Sequence, residues 1–63
     1  MIEKKPEGTT HIHFYNNGGY DIFNITKEQG VHKVLLWNDS VWIDYTYMCD
    51  EDELLFLLEN CEV

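Results

Sequence analysis

Apolar and polar side chains alternate strictly from Thr9 to Asn16, with Ile12 and Phe14 on one side and His11, His13 and Tyr15 on the other. A period of two in a β-rich window predicts a strand with one buried face. Asn16-Asn17-Gly18-Gly19 follows, a run that accepts positive φ and so marks a turn. A two-residue loop at Gly18-Gly19 sets Phe14 opposite Phe23 and Ile12 opposite Ile25, with Tyr15 facing Ile22 and His13 facing Asn24 on the other side. A loop at Asn17-Gly18 pairs Phe14 with Asp21 instead and leaves the faces unchanged. The first register is preferred because it joins large apolar side chains.

Thr26-Lys27-Glu28-Gln29-Gly30 reads as a polar connection with room for a short helical turn closed by Gly30. Val31–Trp37 and Val41–Met48 are the third and fourth strands, joined by Asn38-Asp39-Ser40. A two-residue loop there sets Leu36 opposite Ile43 and Val34 opposite Tyr45, leaving Lys33, Leu35, Trp37, Trp42, Asp44 and Thr46 on the far face. A three-residue loop would shift the third strand's faces relative to the fourth. The last element reads as a helix over 50–60. Asp50 and Glu53 have capping-box spacing, and Glu51, Asp52 and Glu53 fall in a first turn whose positive dipole end favours acids. Leu54, Leu57, Leu58 and Cys61 form the apolar stripe, with Leu55 and Phe56 outside it.

The expected fold is α+β: an antiparallel sheet of about four strands, made of two hairpins, with one C-terminal helix on one face. Residues 1–8 are read as a flexible lead and residues 9–63 as a single small domain. One helix covers one face. The other keeps Tyr15, Tyr20, Ile22, Leu35, Trp37 and Trp42, an apolar surface large enough to call for a second copy of the chain or a target.

Charge changes this picture most. Of the 63 residues, the first 38 balance four lysines against four acids. Residues 39–63 hold eight acids and no lysine or arginine, so they carry the whole net charge of −8. Such a field repels nucleic acid and anionic membrane and attracts a basic protein surface. There is no arginine to grip phosphate in a bidentate way. A chain of this size buries only about 60% of its unfolded surface and draws ~3–5 kcal/mol from its core. The nine aromatics nonetheless suffice to build one, which argues against disorder. No run approaches the ~20 apolar residues of a membrane span, and Met1–Pro6 lacks the apolar centre of a secretory signal. The expected location is the cytoplasm, that of the host cell if the chain is viral. Cys49 and Cys61 are expected to be free thiols, because twelve helical residues separate them by about 18 Å.

Few residues point to chemistry. His11 and His13 share one side of a strand, a spacing seen in zinc sites, with His32, Cys49 and Asp50 as conceivable further ligands. The simpler reading is two solvent-facing strand residues, and neither metal nor cofactor is expected. Asp50–Glu53 lacks the central glycine of a calcium loop and is explained by helix capping. Cys49 stands among acids that oppose a thiolate, and no nucleophile elbow or phosphate loop is present, so no enzyme activity is expected.

Protein recognition remains. Asp39, Asp44, Asp50, Glu51, Asp52 and Glu53, with Trp37 and Trp42, combine aromatic anchors with charges that steer encounter. The expected role is that of a small acidic inhibitor or modulator that mimics nucleic acid on a basic, nucleic-acid-handling partner. In size, charge and lack of enzyme motifs the chain is similar to bacteriophage anti-CRISPR and anti-restriction proteins, although no motif ties it to one family. The alternative is an assembly or homodimerisation module that docks through the tryptophan face.

Overall fold

The computed structural model describes residues 4–63, so the first three residues of the 1–8 lead lie outside the described residues. Strands β1 (His11–Phe14), β2 (Tyr20–Glu28), β3 (Val31–Trp37) and β4 (Trp42–Asp44) form one antiparallel sheet in the order β1-β2-β3-β4. Helix α1 (Glu51–Asn60) packs on one face. The fold is α+β, as the pattern of the chain predicts. Phe23, Ile25, Val34, Leu57 and Cys61 form the buried core between helix and sheet, flanked by Leu36, Tyr45, Leu54 and Leu58. The stripe Leu54, Leu57, Leu58 and Cys61 therefore faces the sheet, while Leu55 and Phe56 stay exposed.

The first hairpin departs from expectation. Its loop has three residues, Asn16-Asn17-Gly18, closed by Tyr15 N–H to Gly19 O at 2.8 Å and Gly18 N–H to Tyr15 O at 3.2 Å. Gly18 sits at φ +93°, and the Asn17 side chain accepts from Gly19 N–H at 2.9 Å. This is a tight turn followed by a glycine bulge, and the bulge adds one residue to the connection. The pairs become His11 with Phe23, Ile12 with Ile22, His13 with Asp21 and Phe14 with Tyr20. Because the side-chain period is two, that single residue turns β1 over. His11 and His13 now share the helix side with Phe23, and Ile12 and Phe14 share the second face with Ile22.

The 26–30 segment is also corrected. β2 continues to Glu28, and Gln29 (φ 53°) and Gly30 (φ 80°) form a two-residue hairpin turn rather than a helical one. Two successive positive φ values match the right-handed twist of the strands. The second tight hairpin matches expectation: Leu36 pairs with Ile43 and Trp37 with Trp42, and Asn38 N–H donates to Val41 O at 2.9 Å. β4, however, stops at Asp44. The Asp44 carboxylate accepts from Thr46 N–H at 3.0 Å, a local turn that takes the chain off the sheet.

Two threonines finish the outer strands in the same way. The Thr10 hydroxyl accepts from Ile25 N–H at 2.8 Å, and the Thr46 hydroxyl accepts from Val34 N–H at 3.0 Å. Ile25 and Val34 are direct partners in the central hairpin. Where each outer strand leaves the ladder, a side chain replaces the missing backbone acceptor of a buried residue.

The N-cap is as expected: Asp50 accepts from Glu53 N–H at 2.8 Å. The reciprocal half of the box is replaced, because the Glu53 carboxylate instead accepts from the Tyr45 hydroxyl at 3.3 Å. After α1 the chain bonds back to β1, with Ile12 N–H to Cys61 O at 2.9 Å and Val63 N–H to Thr10 O at 3.1 Å. His11 and Glu62 form an antiparallel bridge there. Among the described residues, no helix is long and apolar enough to cross a membrane.

Candidate functional site

Trp37 and Trp42 are cross-strand partners on the second face, half-buried, with ring centroids 5.1 Å apart in an edge contact. They are not bare. Gly8 passes over Trp42 and Asn24 so closely that an added Cβ would lie 3.2 Å from the Asn24 amide. The Asn24 side chain also donates to Gly8 O. Gly8 adopts φ +97°, so other residues are disfavoured here on backbone grounds as well. Further along, Lys4, Lys5, Pro6 and Glu7 border a cavity of about 320 Å³ with Trp37 and Asp39. Ile12 and Ile22 are buried on this same face. The apolar surface left open there includes the pair Phe14 and Tyr20, 59% and 49% exposed, at one end and Val31 at the other.

The acids fall in three places. Asp39 occupies the β3–β4 turn at φ 60°, a left-handed conformation that aspartate tolerates better than most residues. Asp44 ends β4, fully at the surface. Hydrogen bonds from the Thr46 N–H and hydroxyl hold its carboxyl below its ordinary pKa, with the nearby Lys33 charge adding to the effect. Asp50, Glu51 and Asp52 are exposed at the start of α1. Glu53 differs, being half-buried against the Tyr45 hydroxyl. That contact ties the first turn of α1 to the Asp44 end of β4. Burial and then the Glu53 charge raise the Tyr45 pKa.

Cys49 and Cys61 are free thiols. Burial, with Glu53 and Asp50 adding to it, pushes the Cys49 thiol up to about 11. A group held protonated in this way is a poor nucleophile near neutral pH.

The histidines are placed opposite to expectation, since both belong to the helix side. His11 is buried, with its Nδ1 2.7 Å from the Thr10 hydroxyl, and burial lowers its pKa while Glu62 opposes that. His13 lies 4.4 Å from the Tyr15 ring and 5.1 Å from the Phe56 ring, centroid to centroid. The Tyr15 hydroxyl donates to Asp21, which pushes its pKa up to about 12. Among the described residues, no three His, Cys, Asp or Glu side chains converge as metal ligands would.

Sequence patterning misses the outer edge of β4. Ladder hydrogen bonds alternate along an antiparallel pair. Tyr45 N–H bonds to Val34 O and Asn38 N–H to Val41 O, so Leu36 and Ile43 form the bonded pair between them. Trp42 and Asp44 therefore direct their backbone N–H and C=O groups away from β3. Among the described residues, β4 touches no helix or strand other than β3. Val41, Ile43, Tyr47 and Met48 are exposed along and beyond it. The one sequence signal that bears on it is local, the Asp44-Tyr45-Thr46 turn that ends β4.

No protein-family model, curated protein or solved structure matches this chain.

Proposed function

We propose that this protein is a small acidic binding protein that inhibits or modulates a basic, nucleic-acid-handling partner. Its carboxylates stand where that partner would otherwise meet a phosphate backbone. One observation carries the reading: the net charge of −8 resides entirely in residues 39–63. Asp44, Asp50, Glu51 and Asp52 are exposed, at the end of β4 and the start of α1. Inhibitors of the kind that bacteriophages direct against restriction and CRISPR nucleases fit this chemistry. The action proposed is binding through charge and shape, with no chemical step.

The experiment is capture of partners from host lysate by the tagged protein, washed at low and then high salt. Exposed charges are screened over ~10 Å at 0.1 M ionic strength, so a steered acidic contact releases its partner as salt rises. Changing Asp44 and Asp52 to Asn, and Glu51 and Glu53 to Gln, should abolish capture in protein that still shows its native circular dichroism. Undiminished capture by that variant would end the mimic reading.

A second reading, docking of an assembly partner or a second copy on the aromatic face, rests on the exposed Phe14–Tyr20 pair, whose ring centroids are 6.1 Å apart. It requires salt-resistant association that Phe14→Ala removes.

A further inference from the structure

We propose that the outer edge of β4 accepts an extended, lysine- or arginine-bearing segment of the partner as a fifth strand, with a basic side chain over Asp44 and an apolar one over Ile43. This rests on the basic-partner reading and says how such a partner is held.

The sheet has two outer edges, and the chain closes one of them itself through the His11–Glu62 bridge. The other, among the described residues, keeps the outward N–H and C=O groups of Trp42 and Asp44 free of any neighbouring helix or strand. Their spacing, residues i and i+2, is the repeat at which an added strand bonds. Side chains on the two faces then set the pattern of the incoming strand. On the helix side, Val41 and Ile43 are 54% and 43% exposed and present apolar surface. On the second face, Asp44 presents a carboxylate with Lys33 nearby, and Asp39 stands at the start of the hairpin with Lys4 and Lys5 across a shared cavity, so the acidic bias of this edge comes from residues 39–63 as a whole. An added strand that alternates apolar and basic residues matches both faces at once.

Charge selects the occupant. A second copy would bring another net charge of −8, with its own Asp39 and Asp44, against the same edge. A short strand carrying charge is a usual protection against unwanted pairing. Here the protection is one-sided, since it rejects acidic strands and admits basic ones.

The probe is the peptide Lys-Val-Lys-Val-Lys-Val-Lys, blocked at both ends and titrated into ¹⁵N-labelled protein. The amide resonances of Trp42 and Asp44 should shift, and their hydrogen exchange should slow at least about tenfold, as for newly bonded groups. The same peptide with Glu for Lys should do neither. The fifth strand proposed is antiparallel, so the groups that meet Trp42 and Asp44 belong to the lysine residues directly opposite them; N-methylation of the lysine amides should abolish binding and N-methylation of the valine amides should not. Asp44→Asn keeps the turn to Thr46 and should weaken binding by at most about fivefold, the range of an exposed charge pair. Asp44→Pro removes an outward N–H without costing a ladder bond and should abolish binding. If that variant fails to fold, the methylated peptides decide the matter on intact protein.

Three results would overturn the proposal: unchanged Trp42 and Asp44 amides at millimolar peptide, shifts confined to Glu51–Glu59 of α1, or a doubled mass without peptide. Shifts confined to the helix would leave the acidic-binding reading standing. Salt-insensitive capture would sink that reading even if peptide bound at β4.

Discussion

At the β1 edge, Ile12 donates to Cys61, Val63 donates to Thr10, and His11 and Cys61 are buried beneath the helix end. At the β4 edge, three strand residues end in an Asp44–Thr46 turn, and the side chains around them lie in solvent. The two edges use the same device, a threonine hydroxyl that accepts from a central strand. They differ in their cover. The chain beyond α1 returns to β1, whereas among the described residues no helix or strand other than β3 packs on β4. One edge therefore belongs to the stability of the fold, and the other is left unpaired by the described elements.

The strongest way to break this contrast is at the closed side. Leu57 is fully buried at the centre of the core, and α1 carries the segment that seals β1. Leu57→Ala should cost about 2–5 kcal/mol, comparable with all that a core of this size supplies, and leave much of the protein unfolded in a urea titration. Next come the paired threonines. Thr10→Val orphans the buried N–H of Ile25 and should cost about 1–3 kcal/mol. Thr46→Val orphans the N–H of Val34, which is itself almost fully buried, and should likewise cost about 1–3 kcal/mol. Asp50→Ala removes the helix cap and should cost about 1 kcal/mol, measured the same way.

The pH dependence is a finer probe of the closed edge. Burial holds His11 below its ordinary 6.5, so the unfolded chain takes up a proton first. Stability from this site is then full above pH 6.5 and falls as the pH drops below it. Urea midpoints at pH 7.5 and 5.5 should differ more for the wild type than for His11→Gln. The smallest effect belongs to the open edge. Ile43→Lys should change stability by no more than about 0.5 kcal/mol, as surface substitutions do, while abolishing binding of the Lys-Val peptide.

Helix α1 is legible in the sequence because its signals are local: an aspartate cap, acids in the first turn and leucines at a 3.6-residue period. The Trp37–Trp42 register is legible for the same reason, as a two-residue turn leaves little choice. β1 is not. Its alternation is equally good for either face, because both faces of this sheet are buried, one under α1 and the other where Gly8 crosses Asn24 and Trp42. A glycine bulge in the loop then decides the parity. Of the candidate surface, the acids and tryptophans are visible as residues. That Glu53 turns inward to Tyr45, and that Trp42 and Asp44 turn their backbone outward, is not.

Local sequence settled the number and order of the elements, the helix cap and stripe, and the concentration of negative charge in residues 39–63, but not where β2 and β4 end. The glycine bulge set which side of β1 is buried, and only the assembled helix and sheet decided which edge is sealed and which is left open. The state of the two edges depends on hydrogen bonds between residues far apart in the chain, Ile12 with Cys61 and Val34 with Thr46, and no periodicity encodes them.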